Sequence, residues 1–532
     1  MNNRRHIDTL HYSATLLAVL VFASCGPGHR DEMEKIEVLR ERVENLSVAK
    51  TKMEYDSWVF GERSNLDSLY ATDSSLFTVE NIRLVERAVG AEPDSVQQKR
   101  LRYLHRQLIT EYLSLRTAGL RDQVVNFEAG ATVHVDGETI PYRQVSVLIA
   151  NESSQSRRAS LSVAMDPLFD TLNVRLREIE ETNRSIAKEL GFSSFNAMIA
   201  DIKSLSLDEM RRMCEEFLSS TDSLYDTLLR DMLEQKLDLT REHFYSYDVA
   251  ALFRAKEFDL YFPADSVLPL VTTTYRGLGI DIDTQRNLKI DATSRPTKNP
   301  RAACFAVEVP TDIRLTIKPA GGYDDVAALL HEMGHGQHYA NTKEHAFEFR
   351  YLGEPTVTEA FAFLSEYLLD NQAWLRVHTT MPVPVLKDFV RFEAFHRLYY
   401  VRRYTAKLLY EVRLHAGEEN LPSLYTALQS RAVGWIPTPS DAKRYLIDVD
   451  DNLYSAGYLR AWFLEAQLNT KLRQDFGANW FEDPRAGEFL RSLWAYGDRL
   501  NGDELAHTLG YAAIIPGPLL EEINSMVLLS QR

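Results

Sequence analysis

The chain has 532 residues, of which 45% are apolar and 26% charged, and its net charge is −16. That composition is ordinary for a soluble globular protein with a sizeable core, and the length suits two ordinary domains or one large bilobed one. The negative balance argues against nucleic acid as a partner, because phosphates demand a basic surface.

The N-terminus reads as a targeting segment. Arg4 and Arg5 precede an apolar run from Ala14 to Ala23, which is too short to span a bilayer stably. The run ends in Phe22-Ala23-Ser24-Cys25-Gly26. Small residues ahead of a cysteine resemble a bacterial lipoprotein signal, although Phe22 stands where that pattern prefers an aliphatic residue. The resemblance implies cleavage before Cys25, a lipid on Cys25, and an extracytoplasmic protein held to a membrane by that anchor alone. An ordinary cleaved signal peptide is the competing reading. The other cysteines, Cys214 and Cys304, read as buried thiols, and three cysteines are too few for a disulfide framework.

From Asp31 to Asn45, Ile36, Val38, Leu39 and Val43 recur among charged residues, which predicts an amphipathic helix. Helical periodicity returns over Arg100–Leu115, Leu172–Leu190, Leu207–Leu237 and Leu386–Leu414. Two β islands interrupt it. Thr132 to Val145 alternates around Asp136-Gly137, a hairpin signal. Ala303 to Lys318 alternates through Phe305, Val307, Val309, Ile313, Leu315 and Ile317 around Pro310, and predicts two strands after a loop at Arg295–Pro300. Gly321-Gly322 ends the second strand, and Asp324 and Asp325 suit the first turn of a following helix. The expected fold class is therefore mainly α with a small β-sheet.

That helix carries His331-Glu332-Met333-Gly334-His335. Histidines four apart leave one helix face and can converge on one ion. Glu332 lies beside that face, where it can take a proton from water without being a ligand. Apolar Ala327 to Leu330 bury the helix around the site. A catalytic zinc needs a third protein ligand and an open position. Pro355 can start the next helix, and Glu359 lies one turn into it among Ala360, Phe361 and Phe363. A carboxylate there is costly to bury unless a cation accompanies it. Glu359 is the expected third ligand and Glu354, at the mouth of the helix, its competitor. Glu366, two turns on, can orient a ligand from behind or be a solvated charge. His338 reads as structural or substrate-facing.

These residues resemble the thimet oligopeptidase and neurolysin family of zinc peptidases and its relative, angiotensin-converting enzyme. The spacing from His331 to Glu359 resembles the converting enzyme's. Further likeness runs through Tyr275-Arg276-Gly277-Leu278-Gly279-Ile280-Asp281, Cys304-Phe305, Lys318-Pro319-Ala320-Gly321-Gly322, Tyr454-Ser455-Ala456-Gly457-Tyr458 and Phe481-Glu482-Asp483-Pro484, so it covers about 180–510. The resemblance implies a bilobed helical zincin with one zinc ion at the floor of a deep channel that admits short peptides. It implies that the Cys304–Val309 strand lines the channel, with Ala306 and Val307 pairing to substrate through main-chain groups, and that Tyr454 and Tyr458 donate to the reaction's oxyanion. It departs from the family where a third tyrosine would fall, at Ala461, and where a histidine would precede the loop, across Asp448-Val449-Asp450-Asp451-Asn452. His396, Tyr399, Tyr400 and Tyr404 on another helix are expected to compensate if anything does. Arg314, Arg402, Arg403 and Arg460 are grips for a terminal carboxylate by charge alone, and read better as exposed surface arginines.

The expected organisation is a signal peptide over 1–24, an N-terminal helical region with a small hairpin over 25–195, and a zincin catalytic region over 196–532, acting as a monomer. The expected activity is hydrolysis of short peptides, endo-acting or trimming dipeptides from the carboxyl end. A peptide-binding lipoprotein with little catalysis and a structural zinc protein are the competing classes.

Overall fold

In the computed structural model, residues 27–62, 69–70 and 73–531 are described. The expected signal segment and Cys25 lie outside them. Contacts divide the chain into two compact units, one drawn from 1–50 and 65–112, the other from 51–64 and 113–532. The expected boundary near residue 195 falls inside the second unit.

The first unit contains the early part of α1 (Pro27–Phe60), all of α2 (Val79–Ala91) and the first half of α3 (Ser95–Gly130). Ile36, Leu39 and Val43 are buried, whereas Val38 is 58% exposed. Positions 36, 39 and 43 share one stripe of a 3.6-residue helix and 38 does not, so the expected apolar set loses that member. Thr78 caps α2 by accepting a bond from Asn81 N.

In the second unit, β1 (Thr132–Val135) and β2 (Glu138–Pro141) form the expected hairpin, turning at Asp136 and Gly137 with φ of 53° and 83°. The strand stops at Pro141, short of the expected Val145. From Tyr142 the chain is helical (α4, Tyr142–Asn151), and Val145 and Ile149, four apart, form its buried side. Next come α5 (Gln155–Ala164), α6 (Asp166–Glu189), α7 (Phe195–Lys203) and α8 (Leu207–Leu237). Helix α8 has the predicted bounds for local reasons. Ser206 caps it, Asp208 and Glu209 oppose the dipole at its start, and Asp238 ends it in the left-handed region.

After α9 (Val267–Gly277), strands β3 (Leu288–Asp291), β4 (Ala303–Glu308) and β5 (Asp312–Thr316) form a sheet in the order β3-β5-β4. β4 and β5 are the predicted pair. β3, parallel to β5, was not expected, because four residues carry too little alternation to stand out. Lys298, 3% exposed, ties the loop after β3 to the sheet by donating to the carbonyls of Asp291, Thr293 and Ile317.

Helix α10 (Tyr323–Ala340) lies on β4 and β5 and packs against α11 (Pro355–Glu366), which packs in turn on α14 (Tyr454–Phe476). The long α12 (Val383–His415) touches α8, α13 (Leu421–Val433), α14 and α16 (Gly517–Gln531), with α15 (Pro484–Trp494) reached before α16. The protein is mainly α with two small open sheets. Among the described residues no helix is long and apolar enough to cross a membrane.

Candidate metal centre

The turn into α10 is set by two glycines. Gly321 and Gly322 have φ of 85° and 101°, and a Cβ on them would meet Ala264 N at 2.7 Å and Asp259 Oδ1 at 2.8 Å. Asp325 accepts bonds from the N–H groups of Ala320 and Gly321, which fixes the turn to the helix it starts. Val326, Leu329, Leu330 and Met333 are fully buried. Gly334 lets α11 come close: a Cβ there would lie 2.6 Å from both Ala362 Cα and Phe361 O. The two helices that carry the donors are thus held backbone to backbone.

His331, His335 and Glu359 form the one cluster of metal-ligating groups found among the described residues, with donor atoms within 4.8 Å of one another. Glu359 Oε2 lies 3.4 Å from His331 Nε2 and 3.7 Å from His335 Nε2. Glu359 is 6% exposed, and that oxygen is buried with no hydrogen-bond partner. Bonds of about 2.0–2.2 Å to a tetrahedral ion set donors about 3.4 Å apart, so the cluster has the dimensions of a metal site. An orphaned buried carboxylate oxygen facing two ring nitrogens is what a cation would satisfy.

The far nitrogens are held too. His331 Nδ1 lies 2.8 Å from Glu366 Oε2, and His335 Nδ1 lies 2.8 Å from Thr358 Oγ1. With Nδ1–H donating, Nε2 is the ring atom turned toward Glu359 in both histidines, the atom that can ligate once it is unprotonated. Burial pulls His335 down to about 4, so it is neutral and free to ligate. Burial also opposes charge on His331, but Glu359 and Glu366 outweigh it and hold that ring well above its ordinary value. Burial alone would raise the Glu359 carboxyl, yet His335, His331 and Tyr454 together keep it below its ordinary value.

Glu332 stands beside this set. Its Oε2 accepts a bond from Cys304 N at 2.8 Å, and burial holds the carboxyl above its ordinary value against the pull of His331. That bond also orients β4. Cys304 N–H points away from β5, and by the two-residue repeat of a strand the main-chain groups of Ala306 face the same side. No strand covers that edge among the described residues. Val307 is placed differently: Tyr351 OH lies 3.5 Å from its carbonyl and accepts from Val309 N at 2.7 Å.

The two tyrosines from α14 reach the cluster in different ways. Tyr454 OH donates to Glu359 Oε1 at 2.8 Å, so it holds the carboxylate whose other oxygen faces the histidines. Tyr458 packs at 4.9 Å from Tyr454 and 5.5 Å from Tyr404, and its hydroxyl makes no hydrogen bond to any described residue. Burial and the carboxylate of Glu359 raise its pKa, so the phenol keeps its proton. The acids before α14 are structural. Asp448 pairs with Arg403, and Asp450 with Lys407, both from α12.

The remaining expectations sort by contact. Glu354 accepts from Thr356 and faces Arg460 at 3.4 Å, away from the histidines. His338, fully buried, lies 3.1 Å from Gly497 O and is structural. The arginines are not free surface groups. Arg314 pairs with Asp312, Arg403 with Asp448, and Arg460 with Asp503; Arg402, 2% exposed, holds Ala432 O, Leu218 O and Asp222. His396 and Tyr399 pack against Phe253; of the four α12 residues, Tyr404 is the one that touches Tyr458. Thr358 and Tyr351 were missed. Thr358 precedes Glu359 directly, and only the inter-helix approach reveals that it faces His335.

No family model matches the chain, and no curated protein matches it.

Proposed function

We propose that the protein is a zinc-dependent peptidase acting on short peptides, similar in its site to thimet oligopeptidase and neurolysin. The observation that carries this reading is the convergence of His331 Nε2 and His335 Nε2 on an otherwise unpartnered Glu359 oxygen, with Glu332 one residue along the same helix. A structural zinc site is less well supported, since such sites close the ion with four protein ligands, usually rich in cysteine, and three groups converge here.

Zinc, when bound by these three residues, supplies Lewis acidity that polarises a carbonyl and makes water nucleophilic at neutral pH. The rest falls to the chain. The open edge of β4 pairs with an extended substrate backbone through Ala306 and positions the scissile bond; Val307, whose carbonyl faces Tyr351, adds the apolar wall. Glu332 accepts the proton of the attacking water and returns it to the leaving amine nitrogen. Tyr458, protonated and with its hydroxyl bonded to no described residue, donates to the oxygen on which charge develops. Tyr454 supports Glu359. A bilobed channel around the site and a lipid on Cys25 complete the proposal; loss of membrane association in Cys25→Ser is the check on the anchor.

Glu332→Gln is expected to retain zinc and lower turnover about 100- to 10,000-fold. The measurement is mass spectrometry of a short-peptide pool incubated with zinc-loaded protein, with and without chelator. Product lengths separate endo cleavage from dipeptide trimming. The second reading, a peptide-binding lipoprotein, is favoured by Ala461, where an additional phenol would stand. Peptide affinity without chelator-sensitive products in the wild type would replace the first reading with this one.

A further inference from the structure

Arg397 on α12 reaches carboxyl groups from three other segments. It donates to Asp370 at 3.2 Å, in the short turn Tyr367–Asp370 that follows α11, to Glu522 of α16 at 3.1 Å, and to Glu465 of α14. All four side chains are buried: that of Arg397 is 2% exposed, and those of Asp370, Glu465 and Glu522 are 8%, 0% and 8%. One guanidinium balances one negative charge. Three ionised acids around it would leave two negative charges uncompensated and out of water, which is costly. Asp370 Oδ1 and Glu465 Oε1 also accept no hydrogen bond from any described residue. A buried oxygen left without a donor costs more when it is ionised than when it is neutral.

The surroundings do not supply the missing positive charge. On α12, burial pulls His396 down to about 4, so it is neutral, and Glu393, 2% exposed, adds a fourth acid, which accepts from Tyr323 of α10. Glu366, at the end of α11, is near enough to disfavour charge on Asp370. From α14, Asn469 donates to Glu522 Oε1, and the exposed Arg473 attracts Glu522 more weakly than Arg397 does. Tyr367 and Tyr511 face the group as neutral phenols. Among the described residues the one converging set of metal ligands is that of His331, His335 and Glu359, so no ion site neutralises these acids. Burial holds the carboxyls of Asp370, Glu465 and Glu522 above their ordinary values, against the pull of Arg397.

We infer that Asp370, Glu465 and Glu522 hold protons in the folded protein and form a pH-sensitive latch for α16, which docks while the protons are held and loosens as they are lost. Helix α16 gives way first because it packs chiefly on α12 and α14, whereas those two have further partners in α8, α13 and α11. Its docking face is apolar through Leu519, Ile523 and Met526, with Glu522 set among them. Loosening lets water reach Glu522 and leaves Arg397 with two acids. Because the folded values lie above the unfolded ones, the contribution of these carboxyls is complete below pH about 4 and is lost as pH rises through the folded values, about 7 for Asp370. The latch does not depend on the reading of the metal centre.

The test is hydrogen exchange of the full-length, zinc-loaded protein, read by mass spectrometry at pH 6 and pH 9 in buffer free of other divalent cations. With intrinsic exchange rates divided out, protection of α16 is expected to fall about tenfold or more relative to that of α8 between the two conditions. Glu465→Gln and Asp370→Asn each put a neutral group of the same shape in place of a titrating one. Each is expected to shrink the fall, and the double variant to abolish it. Circular dichroism and melting temperature at pH 6 report whether the variants fold; the single variants carry the same reading if the double does not, and the wild-type comparison needs no variant. Protection of α16 that changes no more than that of α8 overturns the latch, as does an undiminished fall in folded variants. Recovery of protection at pH 9 on adding magnesium also overturns it, by showing that a cation and not protons neutralises the acids. None of these readouts depends on cleavage, so failure of the peptidase reading leaves the result interpretable.

Discussion

Glu366 shows what one residue behind a ligand contributes. It lies 2.8 Å from His331 Nδ1 and not at the point where the three donors converge. Fixing that proton on Nδ1 leaves Nε2 as the ligating atom. Glu366→Ala is expected to weaken zinc binding about 10- to 100-fold, a range typical of such outer partners, measurable by competition with a chromophoric chelator. An unchanged affinity would reduce Glu366 to a helix charge. The sequence left both readings of Glu366 open, because spacing along α11 gives its turn but not the side chain it meets. The choice between Glu354 and Glu359 was more legible, since only Glu359 sits among buried apolar neighbours on a fixed helix face.

At the scale of elements, two features hold the donors in register. One is the contact at Gly334. Alanine is the better helix former by about 1 kcal/mol, yet its Cβ would meet backbone atoms of α11. Gly334→Ala is therefore expected to destabilise the protein by about 1–3 kcal/mol net, the cost of overpacking, read from urea unfolding. The other is the segment entering α14, where Asn452 and Leu453 adopt φ of 53° and 51°. A leucine there is strained and must be held by its surroundings. Glu411 does part of this by accepting from Asp450 N and Ser455 Oγ. Burial raises Glu411 to about 8, against the opposing pull of Lys407. Its folded value exceeds the unfolded value of about 4.3, so its contribution is complete below that pH and is lost as pH rises through about 8. Denaturant unfolding at pH 5, 7 and 9 should show the wild type losing stability relative to Glu411→Gln. A constant difference between the two proteins would remove Glu411 from this role.

For the whole molecule, an ion held by α10 and α11 joins two helices that otherwise meet through packing and the hydrogen bonds of His331 to Glu366 and of His335 to Thr358. A ligand that binds the folded state alone stabilises it by mass action, by about 4 kcal/mol at a thousandfold excess over its dissociation constant. Chelation is expected to lower the melting temperature in calorimetry, and added zinc to restore it. His331→Ala should melt at the same temperature with or without chelator. A wild type indifferent to chelator would mean that the cluster holds no stabilising ion.

What the sequence alone determined was local. Helical periodicity, the Asp136-Gly137 turn and the His331–His335 spacing all act within a few residues, so they read directly. The same locality explains the errors. Val145 alternates well enough for a strand, but Pro141 lets a helix start at Tyr142, and β3 exists only because β5 lies beside it. Tertiary structure decided what distant residues meet. It gave His335 to Thr358, turned Tyr454 toward Glu359, and spent four arginines on acids and carbonyls. Those outcomes depend on which helices approach closely enough for side chains to touch, and pairing of that kind is set by packing across the fold, not by spacing along the chain.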